Sequence, residues 1–133
     1  MEKEFIPYEE ALALKELGFD EPCFGFFKTN KEFEQYHTFY KGKFFGCTNK
    51  ILSRMLDGEN VNSKVLSPTF SQAFRWFRDN HNLHGQVNIR TWFIYETSNG
   101  NLTMVDLYDK LNNSHEESEL VCLKGLIQIV KNK

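Results

Sequence analysis

The stretch Phe70-Ser-Gln-Ala-Phe-Arg-Trp-Phe-Arg78 constrains the fold of this chain more than any other. Phe70, Ala73, Phe74 and Phe77 recur at helical spacing and line one side, while Gln72, Arg75 and Asp79 face the other way. A helix with so aromatic a stripe has to be covered by a sheet or by other helices. Its limits are legible as well. Ser67 or Thr69 is suited to cap it, Pro68 to occupy its first turn, and the pattern runs to about Asn82.

The same bias runs through the whole chain: thirteen Phe stand against two Trp in an aromatic share of 15%. Phe has no polar handle, so most of this excess belongs in a core. At 133 residues and 41% hydrophobic content, one domain without metal or disulfide staples is expected. Sixteen basic and 18 acidic residues leave a net charge of −2, which argues against a nucleic-acid binder relying on many phosphate contacts. The Met1-Glu-Lys-Glu-Phe5 start has no hydrophobic signal region, and no apolar run approaches membrane-spanning length. Cys23, Cys47 and Cys122 form no C-x-x-C pair, so free thiols in a reducing cytoplasm are expected.

A pass along the chain gives a mixed pattern. Pro7 to Leu17 reads as a helix with Glu9 and Glu10 in its first turn and Gly18 as its left-handed stop. Cys23 to Phe27 reads as a short buried strand, where Gly25 marks a bulge or a close approach. Residues 31 to 48 favour strands, with a hairpin turning at Gly42. Residues 49–66 read as a long loop, with one helical turn at Ile51, Leu52, Met55 and Leu56. Gln86 to Thr97 alternates through Val87, Ile89, Trp92 or Phe93 and Tyr95. It turns at Ser98-Asn-Gly-Asn101 into Leu102 to Tyr108, a β-hairpin. Ser114 with Glu117 makes a capping box for a last helix to Lys131, in which Gly125 predicts a close packing partner. The sum is a single α+β domain: an antiparallel sheet of three to five strands with about three helices packed mainly on one face.

Chemistry is harder to find. His81 and His84 are three apart, as two ligands on a helical face would be. With Cys47 or His115 they fall short of a full zinc set at the usual spacings, so no metal is expected. Glu9/Glu10 and Glu116/Glu117 are explained by helix dipoles rather than acid–base work. Cys23 and Cys122 read as core thiols, and Cys47, after Gly46, as the more accessible one. No nucleotide-binding, P-loop, zincin or nucleophile-elbow motif occurs, so neither a catalytic residue nor a cofactor is assigned. The basic and aromatic residues Arg75, Trp76 and Arg78, with Lys41, Lys43 and Lys50, are the candidate set for a small anionic ligand such as a nucleotide. The order helix, hairpin, helix loosely resembles double-stranded-RNA-binding domains. Those need lysines where this chain has Ser114-His-Glu-Glu117, which repels phosphate.

Three segments, Phe5 to Cys23, Pro68 to Arg78 and Glu119 to Lys131, together resemble a family of small uncharacterised proteins encoded by Bacteroidota and their phages. The resemblance covers most of the chain outside 31–66. Members usually open the last helix with Tyr-Glu-Glu-Ala, where this chain has His115-Glu-Glu-Ser118, so no role of that Tyr carries over. The resemblance implies a phage or mobile-element setting and brings no activity. The function expected is therefore a small, cytoplasmic, non-catalytic protein-interaction module that binds a host or phage protein. The alternative is a protein that sequesters a small anionic ligand.

Overall fold

A computed structural model describes residues 2–36, 38–54, 64–108 and 114–133. The chain divides into two compact units, Met1–Thr69 and Phe70–Lys133. The class is α+β with antiparallel pairing, as the patterning predicts, but the one sheet of three to five strands is replaced by separate, small sheets. Among the described residues the strands fall into two three-stranded sheets and a separate two-stranded ladder.

In Met1–Thr69, helix α1 spans Tyr8–Glu16, with Pro7 as its N-cap in extended backbone. It stops as expected: Gly18 has φ 98°. The Gly18 N–H donates to Lys15 O and the Phe19 N–H to Leu14 O, which together satisfy the last carbonyls in a Schellman arrangement. Strand β1, Gly25–Phe27, is flanked by β2, Phe33–Gln35, and by β5, Val65–Ser67. Every residue of β1 and β5 is buried. Gly25 proves to be a close approach, not a bulge, since β1 pairs in unbroken register. A Cβ there would lie 2.6 Å from the Phe33 ring and 2.9 Å from Phe5.

Between β2 and β5 lie β3, Thr38–Tyr40, and β4, Lys43–Phe45, joined at Lys41-Gly42. Both turn residues have positive φ, 50° and 76°, the type I′ geometry that suits the strand twist. The hairpin at Gly42 is as predicted. The long loop over 49–66 is shorter than predicted, while the helical turn expected at Ile51 and Leu52 is present. Asn49–Arg54 forms helix α2, and the Thr48 hydroxyl accepts a hydrogen bond from the Ile51 N–H. Val65–Ser67 is the buried edge of the sheet, so residues 55–64 alone separate the two elements, and of these 55–63, including Met55 and Leu56, lie outside the described residues. Ser67 does not cap a helix either, because its hydroxyl donates to Ile6 O at 2.9 Å.

In Phe70–Lys133, helix α3 spans Phe70–His81 and buries Phe70, Ala73, Phe74 and Phe77 as the stripe predicts, with Trp76 added. Three strands follow as a meander: β6, Leu83–Val87; β7, Trp92–Ser98; and β8, Asn101–Tyr108. The single strand read over 86–97 is in fact a hairpin. The Asn88 N–H donates to Thr91 O and turns the chain, which leaves Ile89 exposed instead of paired. The β7–β8 turn falls at Asn99-Gly100, with φ 52° and 78°, where the turn residues place it.

Helix α4, His115–Lys131, begins at Ser114, whose hydroxyl accepts from the Glu117 N–H at 3.1 Å. It lies against β6, β7 and α3. Two glycines allow this closeness. A Cβ at Gly125 would stand 3.1 Å from Ile94 Cδ1 and 3.3 Å from the Trp92 ring, the close partner expected for that position. A Cβ at Gly85 would stand 3.1 Å from Cys122, Leu126 and Phe74 alike, which puts α3 and α4 on the same face of the sheet. Replacing Ser114 by Ala removes the hydroxyl that accepts from the Glu117 N–H at this helix start. The expected loss is about 1 kcal/mol, read as a lower urea midpoint with an unchanged slope.

Candidate functional site

The basic and aromatic set divides between the units. Lys41 and Lys43 stand on the β3–β4 hairpin of Met1–Thr69, where the Lys41 ammonium lies 5.4 Å from the Tyr40 ring centroid. Arg75, Trp76 and Arg78 stand on α3 of Phe70–Lys133. Arg75 and Arg78 are exposed, but Trp76 is only 5% exposed. Its ring packs edge-on against Phe77 at 5.1 Å and against His81 at 5.0 Å. An indole so covered offers no face to a base, so Trp76 belongs to the core rather than to a stacking platform. Lys50 is exposed at the start of α2.

The histidines separate as well. His81 closes α3, the chain then turns at Asn82 with φ 55°, and His84 sits on β6. The His84 ring is hydrogen-bonded to the Thr97 hydroxyl. Burial lowers the pKa of His81, and the Lys133 ammonium lowers it further. No group of three His, Cys, Asp or Glu side chains is placed to hold a metal among the described residues.

All three cysteines are free thiols and buried, including Cys47, which its place near a loop had suggested would be accessible. The chain after β4 turns inward at Gly46, where a Cβ would meet the Cys23 backbone at 2.9 Å. That close contact draws Cys47 under cover. Burial pushes the Cys47 thiol up to about 11 and the Cys122 thiol up to about 12. Glu9, Glu10, Glu116 and Glu117 occupy first helical turns, as the dipole argument predicts. Burial raises the Glu119 carboxyl, His115 at 3.5 Å opposes that rise, and Glu116 adds to it.

Exposed apolar side chains form the more distinctive surface. Among the described residues of Met1–Thr69 they are Tyr40, Phe44 and Phe45 on the hairpin, with Phe24 beside β1. Tyr40 is 60% exposed and Phe44 62%. Strand pairing matches Tyr40 to Lys43, which puts Tyr40, Lys43 and Phe45 on one face of the ladder and Phe44 on the other. Aromatic rings thus project from both faces. The consecutive Phe44-Phe45 pair carried this signal, because alternation alone gives a strand one apolar face.

In Phe70–Lys133 the exposed apolar side chains are Leu102, Met104, Val105 and Leu107 on β8, and Ile89 at the β6–β7 turn. Strand β8 is an outer strand, but two devices guard it. The register shifts opposite Ile94 and Tyr95, so Val105 is an unpaired bulge residue. The Asp106 carboxylate accepts a hydrogen bond from the Leu107 N–H at 2.9 Å, which puts a charge at the strand. Bulges and charges are how sheet edges discourage pairing with other chains. The β3–β4 ladder, by contrast, pairs in regular register without a bulge.

One open concavity of about 680 Å³ lies between the β6–β7 turn and the start of α4, lined by Val87, Asn88, Ile89, Arg90, Thr91 and His115. The sequence reading missed it by carrying one strand through residues 88–91. No described helix is long and apolar enough to cross a membrane. Comparison with protein-family models, with curated proteins and with solved structures gives no match for the chain.

Proposed function

We propose that the chain is a non-catalytic protein-interaction module, a small cytoplasmic protein of a phage or mobile element that engages a host or phage protein through the β3–β4 hairpin. The observation that carries this reading is the exposure of Tyr40, Phe44 and Phe45 on one short ladder. Large exposed apolar groups close together are a feature of interaction sites, and aromatic side chains are the usual anchors. Covering these three rings removes roughly 300 Å² of apolar surface, given ~150–250 Å² per aromatic side chain. At ~25 cal/mol per Å² that is about 7 kcal/mol of gross driving force, to be set against association costs of ~4 kcal/mol or more. Three rings suffice to anchor a partner, while tight binding needs further contacts around them. The buried, raised thiols support the non-catalytic reading, because a cysteine nucleophile acts as thiolate.

Quantitative affinity purification from the natural host tests the proposal with the wild-type chain and Phe44→Asp. Partner recovery is expected to fall at least ~10-fold in the variant, in line with loss of one aromatic anchor. Equal recovery from both proteins contradicts the assignment to the hairpin.

The second reading, capture of a small anionic ligand, draws on the concavity that holds Arg90 and His115. It is the weaker one. His115 is already paired with Glu119, and Glu116 and Glu117 share the same helix start, so the charge facing an anion is largely offset. Arg75, Arg78, Lys41 and Lys43 line no part of that concavity.

A further inference from the structure

The backbone brings Cys23 and Cys47 directly opposite each other in an isolated antiparallel bridge. The Cys23 N–H donates to Cys47 O at 2.9 Å, and the Cys47 N–H donates to Cys23 O at 2.6 Å. Two residues that exchange both bonds stand ~5.5 Å apart at Cα and point their side chains to the same face. That spacing lies within the ~4.4–6.8 Å range that a disulfide spans. Glycine at 46 is part of the arrangement, since any Cβ there would press on the Cys23 backbone at 2.9–3.0 Å and push the two segments apart. In the reduced chain each thiol is held by a carbonyl close in sequence: Cys23 Sγ donates to Glu21 O and Cys47 Sγ to Thr48 O. Both are weak donors to local carbonyls, so giving them up forfeits little, but closure also has to draw the Cβ atoms of this hydrogen-bonded pair from ~5.5 Å to the ~3.5–4.5 Å of a disulfide.

We propose that Cys23 and Cys47 form an oxidisable pair that closes to an intramolecular disulfide on exchange with a small-molecule disulfide such as oxidised glutathione. The first step is attack of the Cys47 thiolate on the oxidant, which releases one reduced thiol and leaves a mixed disulfide on Cys47. Attack by Cys23 on that sulfur then releases the second reduced thiol and forms the Cys23–Cys47 bond. Two protein thiols are oxidised and one small disulfide is reduced, with the two thiol protons passing to the leaving thiolates. The order follows from the surroundings. Lys64, itself buried, lowers the pKa of Cys47, whereas Glu21 and Cys47 add to the burial that raises Cys23. Because both thiols are fully buried, exchange waits on local opening of the bridge and is slow.

The closed bond ties the base of the segment from 23 to 47, which carries β2 and the β3–β4 hairpin. This site does not depend on the interaction reading. A cross-link over such a loop restricts the unfolded chain and raises Tm by roughly 5–10 °C.

The test incubates the folded full-length chain with oxidised glutathione, alkylates the remaining thiols and maps the peptides by mass spectrometry. The expected product is one intramolecular Cys23–Cys47 cross-link, with Cys122 recovered alkylated and the Tm raised. Cys47→Ala, a change a buried site tolerates, is expected to lose both the cross-link and the Tm rise, and Cys122→Ala to keep both. Recovery of Cys23 and Cys47 as free thiols or as stable glutathione adducts overturns the proposal. So do cross-links that include Cys122 at a comparable rate, because they show random pairing in an unfolded chain.

Discussion

Phe77→Ala is expected to lower stability by about 3–5 kcal/mol, the range for removing a large aromatic side chain from a packed core. Phe77 is fully buried on α3, with the Trp76 ring centroid 5.1 Å away and the His81 ring 6.0 Å away. Small domains have only ~5–15 kcal/mol of stability in total, so this one change puts the fold near its limit. The loss has two parts: lost transfer of the ring from water, and a cavity that the sheet and helices fill only in part. Arg75→Ala, on the exposed side of the same helix, is expected to stay within ~0.5 kcal/mol. Urea unfolding of the two variants checks the contrast. A loss below ~1 kcal/mol for Phe77→Ala contradicts the placement of the aromatic stripe in the core.

The second large effect concerns binding. Phe44→Asp is expected to weaken the partner complex by about 2–4 kcal/mol, or roughly 30-fold to 1,000-fold in Kd. An aromatic anchor loses its buried area, and the new carboxylate has to be desolvated without a counter-charge. Phe44 is mostly exposed in the chain itself, so its stability is expected to change by no more than ~0.5 kcal/mol. Separation of the two effects is the signature of a contact residue. A variant that loses binding only because it unfolds does not carry this signature. Ile89→Asp serves as a comparison, since Ile89 is 77% exposed on a turn of the other unit.

Much of this architecture is legible in the residues where local and tertiary demands agree. The stripe of Phe70, Phe74 and Phe77 specifies a helix by spacing and a core by composition, and the structure provides both. Gly18, Gly42 and Gly100 mark positive-φ positions at a helix end and two hairpin turns, all of which occur. Gly125 was readable because a glycine within a helix has a cost that close packing explains. The failures have physical causes too. Val65-Leu66-Ser67 is too short to show periodicity, and only its pairing with Phe27, Phe26 and Gly25 makes it a strand. The turn at 88–91 lacks Gly and Pro, so the alternation of Val87 and Ile89 seemed to continue.

The candidate site was less legible than the fold. Helical-wheel geometry places Trp76 on a flank, whereas in the structure Phe77 and His81 close over it. The approach of Cys23 to Cys47 joins residues far apart in sequence, and no spacing rule reveals such a pair. Exposure of Tyr40, Phe44 and Phe45 was signalled only by the consecutive Phe44-Phe45 pair, because an aromatic hairpin otherwise reads the same whether covered or open.

Native mass spectrometry of the chain purified gently from its natural host, beside Phe44→Asp prepared in the same way, tests the central claim most directly. The account predicts a protein-sized addition on the wild-type chain and its loss from a variant that keeps the wild-type unfolding midpoint. A small-molecule addition in place of a protein, or a protein-sized addition equally present on Phe44→Asp, contradicts it.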